Sequence, residues 1–144
     1  MKRRALIDVV LPARDAQGSI TEVIAALPRR ELRSVVVVDR ASRDRTAELA
    51  RDAGALVLRA DPGYGAACLR ALDHFSKLPQ PPDIVAFVPA DDRQGAAAVP
   101  LLCEPIRDRG VELCLGARGT ATGRPVFRVQ VAELLRAGDR ADRL

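Results

Sequence analysis

The sequence predicts an α/β fold, a three-layer sandwich around a mainly parallel sheet, and three observations carry that prediction. Short apolar runs alternate along the chain with segments of helical periodicity. The runs are continuous rather than alternating, as in Val35-Val36-Val37-Val38, which suits strands covered on both faces. Polar loops, Pro12–Gly18, Asp39–Thr46, Asp61–Gly65 and Pro89–Gly95, follow the first four runs, and ligands of such sheets bind at the carboxyl ends of strands.

The first strand is Ala5–Leu11, stopped by Pro12. In GSITEVIAALP, Ser19 and Glu22 have the spacing of a capping box, and Ile20, Val23, Ile24 and Leu27 form an apolar stripe. Pro28 ends that helix, and Val35–Val38 is the second strand. A second helix lies in SRDRTAELARDAG, with Ser42 as its N-cap and Gly54 as its stop. Ala55–Leu58 is the third strand, and GYGAACLRALDHFSK reads as a glycine turn entering a helix. After the Pro-rich LPQPPD comes a fourth strand, Ile84–Val88. The loop PADDRQG then leads to a helix around Val99–Arg107, and Val111–Leu115 is a fifth strand. Val126–Arg136 reads as a closing amphipathic helix, followed by a frayed tail.

Composition excludes several classes. With 144 residues, 48% hydrophobic and 29% charged, the chain is one domain that is neither disordered nor fibrous. No apolar run approaches the ~18–20 residues of a membrane span. The opening MKRR is basic, but Asp8 and Pro12 interrupt the apolar stretch after it, which reads as a strand rather than a signal peptide. The expected location is the cytoplasm. Net charge is +4, scattered and almost wholly arginine, with Lys2 and Lys77 the two lysines. Aromatics number four, so base stacking is poorly served and nucleic acid is not the favoured partner. Cys68, Cys103 and Cys114 are odd in number and far apart, which suits small core residues in a reducing compartment. His74 is the sole histidine and reads as a helix-surface side chain.

Three loops hold candidate chemistry. Asp39 closes the valine run, where it either accepts hydrogen bonds from a ribose or base or, with Ser42, caps the next helix. Gly63-Tyr64-Gly65 admits close approach of a ligand to the backbone, although Cys68 stands where a dinucleotide fingerprint has its third glycine. Asp91 and Asp92 follow a buried strand; they either hold a hard divalent cation together with a ligand diphosphate or form a solvated acidic loop.

Together these loops resemble family-2 glycosyltransferases, particularly the dolichyl- and polyprenyl-phosphate sugar transferases. The likeness runs from about Leu6 to Arg118 through VVLPARDAQGSITEVIAALP, VVVVDRASRDRTAELARDAGA, GYGAACLRAL, DIVAFVPADD and VELCLGAR. It implies a GT-A-like domain for nucleotide-diphospho-sugar over residues 1–118, with residues 119–144 as the closing helix and tail of that domain. By resemblance, Pro12 and Ala13 lie along the base, and Asp39 lies at base and ribose. Gly63 and Gly65 admit the nucleotide, and Asp91, with Asp92 beside it, holds Mg²⁺ or Mn²⁺ bridging the diphosphate.

The sequence also departs from the family pattern. Arg40 stands where the family has a second Asp for base recognition, Ala16 where it usually has Glu, and Pro89 where it has the first metal-binding acid. An arginine at position 40 offers a fixed cation that pairs with phosphate. Only 26 residues follow Arg118, and Glu133, Asp139 and Asp142 have no recognisable catalytic context, so no catalytic residue is assigned. Two readings stand. One is sugar transfer from a nucleotide diphosphate sugar to an acceptor such as polyprenyl phosphate. The other is a shortened, non-catalytic relative acting as a nucleotide-binding or interaction module. An exposed sheet edge would let such a domain form a homodimer.

Overall fold

The computed structural model describes residues 4–117 and 128–132. β1 (Ile7–Ala13) is buried along its whole length, as a continuous apolar run at the middle of a sheet requires. α1 (Ile20–Ala26) turns Ile20, Val23 and Ile24 inward, and Leu27 leaves it in extended conformation ahead of Pro28. A 3₁₀ turn, Arg29–Glu31, leads to β2 (Ser34–Asp39), with its four valines buried. α2 (Thr46–Asp52) is followed by Gly54 at a φ of +91°, a left-handed stop of the kind expected there. Then come β3 (Leu56–Arg59), α3 (Tyr64–Ser76), β4 (Ile84–Phe87), α4 (Arg93–Ala97), α5 (Val99–Arg109), β5 (Leu113–Ala117) and β6 (Arg128–Ala132).

The strand order is β3-β2-β1-β4-β6-β5. β1, β2, β3 and β4 are mutually parallel, while β6 runs antiparallel to both β4 and β5. Alternate side chains of β1 serve opposite cores, as the two-residue strand period dictates. Val9 and Leu11 pack with Ile20, Val23, Val99 and Cys103 from α1 and α5. Val10 packs with Val36, Val85 and Phe87 against Ala67, Ala71 and Phe75 of α3. These are the three layers that the sequence predicts.

Several local expectations are corrected. Pro12 does not stop β1. Val10 O accepts Val88 N on the β4 side and Ala13 O accepts Arg40 N on the β2 side, so Pro12 faces the β4 side beyond that strand's last paired residue. Its missing N–H therefore leaves no ladder bond unmade. Ser19 does precede α1, but its hydroxyl donates to Ala90 O at 2.8 Å instead of capping the helix. Ser42 is not the N-cap of α2, which starts at Thr46. The expected helix over Val126–Arg136 is overturned at Arg128–Ala132, which is strand β6. Val129 and Val131 alternating with Arg128 and Gln130 is the two-residue period of a strand, and pairing with β4 and β5 satisfies it. The rest of that segment and the tail lie outside the described residues.

All three cysteines are free. Cys103 is buried in the core, where desolvation pushes its thiol up to about 11. Among the described residues, no helix is long and apolar enough to cross a membrane.

Candidate functional site

Strand order decides where ligand chemistry collects. From β1 the chain steps one way to β2 and β3, then β4 is laid on the other side of β1. The loops after β1 and β4 therefore diverge and open a crevice between them. A cleft of about 230 Å³ lies there. The end of β1 and the segment leading to α1 contribute Pro12, Arg14, Asp15, Ala16 and Ser19 to its walls. Pro89, Ala90 and Asp91 come from the loop after β4, and Arg40 reaches in from the end of β2.

A dense polar network holds the β1–α1 and β2–α2 loops together. Asp15 N–H donates to Ser42 Oγ at 2.9 Å, and Arg43 N–H donates back to Asp15 Oδ1 at 2.8 Å. Ala16 N–H donates to Thr46 Oγ1 at 2.8 Å, and Gln17 N–H donates to Asp44 Oδ2 at 3.2 Å. The Thr46 hydroxyl donates in turn to Asp44, and this bond holds the Asp44 carboxyl below the ordinary carboxylate range. Asp15 and Ala41 have positive φ, at 49° and 55°, which these bonds stabilise against strain. Thr46 is fully buried at the centre of the network. Thr46→Val keeps the volume but strips Ala16 N–H and Asp44 of a partner. It should cost about 1–3 kcal/mol in denaturant unfolding. Thr46→Ser should recover most of that loss.

The structure brings together part of the predicted set. Pro12, Arg40 and Asp91 line the cleft. Ala13 and Asp39 sit behind it, paired in register across β1 and β2 and buried at 1% and 4% exposure. Asp39 Oδ1 accepts Ser42 N–H at 3.1 Å, so its visible role is to brace the β2–α2 loop. Gly63 and Gly65 follow β3 and begin α3, outside the cleft walls. Gly63 has a φ of +125°, which only glycine adopts readily, and a Cβ at either glycine would meet open space. Arg40 links the two regions. Burial raises the Tyr64 hydroxyl and the Cys68 thiol, while the charge of Arg40 pulls both the other way. The sequence singles out neither Arg14 nor Asp15, and Ser19 only as a helix cap. Their signal was position alone, in the first strand's loop, and it becomes readable once the strand order is known.

A divalent cation needs several hard oxygens converging on one point. Asp91 is exposed in the cleft, but Asp92 is turned inward at the start of α4, at 6% exposure. Pro89 and Ala90 offer no side-chain oxygen, and Asp15 Oδ1 is occupied by Arg43 N–H. Among the described residues no group of three His, Cys, Asp or Glu side chains could hold a metal. Two arginines share the cleft with the one exposed aspartate after β4. On protein side chains alone this donor set is too sparse to hold a divalent metal, and its two arginines suit an anion.

Comparison with known proteins agrees with this architecture. The model of the family described as glycosyl transferase family 2 matches residues 8–140. A low-salt glycan biosynthesis hexosyltransferase of Haloferax volcanii is 32% identical over 117 residues, 78% of this chain and 27% of that protein. An uncharacterized protein of Methanocaldococcus jannaschii is 29% identical over 114 residues, 78% of this chain and 46% of that protein. Among solved structures, glucosyl-3-phosphoglycerate synthase of Mycobacterium tuberculosis, in complex with Mn²⁺, UDP and glucosyl-3-phosphoglycerate, superposes with a TM-score of 0.66 at 28% identity. That match covers 76% of this chain and 42% of the synthase. The chain thus spans less than half the length of each of these relatives.

Proposed function

The chain belongs to glycosyl transferase family 2, and from that membership we propose that the cleft between β1 and β4 binds a nucleotide diphosphate sugar as donor for sugar transfer. One observation carries the reading: Pro12, Arg40 and Asp91, from the carboxyl ends of three different strands, line a single cleft at the point where strand order reverses. In this reading Pro12 and Ala13 form the wall beside the base. Asp39 fixes the β2–α2 loop and stands nearest the ribose, and Gly63 and Gly65 keep the approach from α3 clear. Arg14 and Arg40 supply positive charge to the diphosphate. A phosphorylated acceptor is the class suggested both by the polyprenyl-phosphate branch and by the phosphoglycerate bound by the mycobacterial synthase.

Binding without transfer is the second reading. It is favoured by the cleft itself, where Asp15 is engaged with Arg43 and Asp91 is the remaining carboxylate. A thermal-shift panel of UDP, GDP and their sugars tests the shared premise. A ligand at 100 times its Kd should stabilise the fold by about 2.7 kcal/mol, raising the melting temperature by a few degrees. Sugar release in the same samples separates transfer from binding. No shift with any nucleoside diphosphate or its sugar would remove the nucleotide site.

A further inference from the structure

We propose that this cleft holds its diphosphate through the guanidinium groups of Arg40 and Arg14 in place of a divalent cation, so that nucleotide binding is independent of metal. The proposal rests on the nucleotide reading above and adds how the charge of the ligand is met. A diphosphate needs two or more positive charges close by, and a cation or a pair of guanidiniums can supply them. The loop after β4 is poor for a cation, since its three cleft residues are Pro89, Ala90 and Asp91 and its next carboxylate, Asp92, is turned inward.

The arginines are in the opposite condition. Arg40 Nε is buried and has no hydrogen-bond partner among the described residues. A buried donor left unmatched is costly, and a small turn of this half-buried side chain would bring the guanidinium to a ligand oxygen in the cleft. The guanidinium fork suits two phosphate oxygens better than a point charge does. Arg14 is exposed at the same cleft and makes no ion pair with a described residue, so its charge is not already spent. Asp91 then takes a changed role. Without a cation, its carboxylate repels the diphosphate and limits affinity, which is the reverse of what a metal ligand does.

That reversal makes the test decisive. Calorimetry on the full chain would use UDP, GDP, inorganic pyrophosphate and the nucleosides uridine and guanosine, each in EDTA and in Mn²⁺. A diphosphate should bind in EDTA with little change on adding Mn²⁺. Arg40→Leu should weaken it roughly 10- to 100-fold, with Arg40→Lys between the two. Arg14→Leu, at an exposed position, should weaken it less and keeps the test open if Arg40→Leu fails to fold. Asp91→Asn should leave affinity in EDTA unchanged or improved. Binding that appears only with Mn²⁺ and disappears in Asp91→Asn would overturn the proposal while leaving the nucleotide site intact. If Arg40→Leu weakened a nucleoside as much as its diphosphate, Arg40 would be reading the base, and the proposal would fall. Absence of binding by UDP and GDP in both buffers would remove this proposal and the nucleotide reading together.

Discussion

Arg33→Ala is expected to destabilise the fold by about 3–5 kcal/mol, the typical loss when one partner of a buried ion pair is removed. Asp8 lies in the middle strand of the parallel half and is completely buried. Its carboxylate accepts Arg33 Nε at 3.0 Å on one oxygen and a second guanidinium nitrogen on the other. Ser34 Oγ adds a bond at 2.7 Å, and Arg33 reaches on to Gln80 O at 2.6 Å. The bond to Asp8 is the main cause that raises the Arg33 guanidinium above its ordinary value. One side chain thus ties β1, β2 and the loop before β4 at the edge of the sheet away from the cleft. Without it, Asp8 keeps only a serine hydroxyl against the full cost of a buried charge.

Asp8→Ala should cost less, because the Arg33 side chain is 27% exposed and can turn to water. The paired replacement Asp8→Leu with Arg33→Met should recover much of the loss, since a well-packed apolar pair often matches a buried ionic one. Guanidinium unfolding of the three variants beside the unchanged protein reads this directly. An Arg33→Ala loss under about 1 kcal/mol would mean that water takes the place of the guanidinium at Asp8.

Much of this fold was legible because its strands advertise themselves. Four consecutive valines admit few alternatives to a strand buried on both faces, and Gly54 and Pro28 mark helix ends by backbone chemistry alone. What failed were positions where a local pattern had two physical solutions. Ser19 and Glu22 have capping-box spacing, yet the Ser19 hydroxyl finds a better acceptor in Ala90, 71 residues away. Arg128–Ala132 fits a helical stripe or an alternating strand, and an available slot between β4 and β5 settles it. The site was half legible for a related reason. That Asp39, Gly63 and Asp91 end up at one edge follows from parallel strands. Which of them faces the crevice depends on β4 lying beside β1, and strand order is not written in any single segment. Adjacent Asp91 and Asp92 look equivalent in sequence, and the onset of α4 turns one out and the other in.

Phe75→Ala should be comparably damaging, at about 3–5 kcal/mol, because Phe75 is the largest side chain that α3 buries in the core beneath it. Phe75 is the bulkiest fully buried residue described; α3's other buried positions at this core are the small Ala67 and Ala71, with Cys68 and Leu72 packed half-buried at its margin. Across from it stand Val10, Val36, Val85 and Phe87 from three strands, already fixed by the sheet and unable to close a gap the size of a ring. The opposite core is shared by α1, α2, α4 and α5, so loss of a single side chain there is spread over more neighbours. The consequence should be directional. Hydrogen exchange in Phe75→Ala should quicken first along α3 while β1 and β2 keep their protection, since α3 is the element left underpacked. Its first turn begins at Gly63, and Tyr64 lies within the field of Arg40, so looser docking of α3 should also lower nucleotide affinity in the folded protein. Uniform loss of protection across the sheet would show instead that both cores unfold as one unit, with α3 no weaker than the rest.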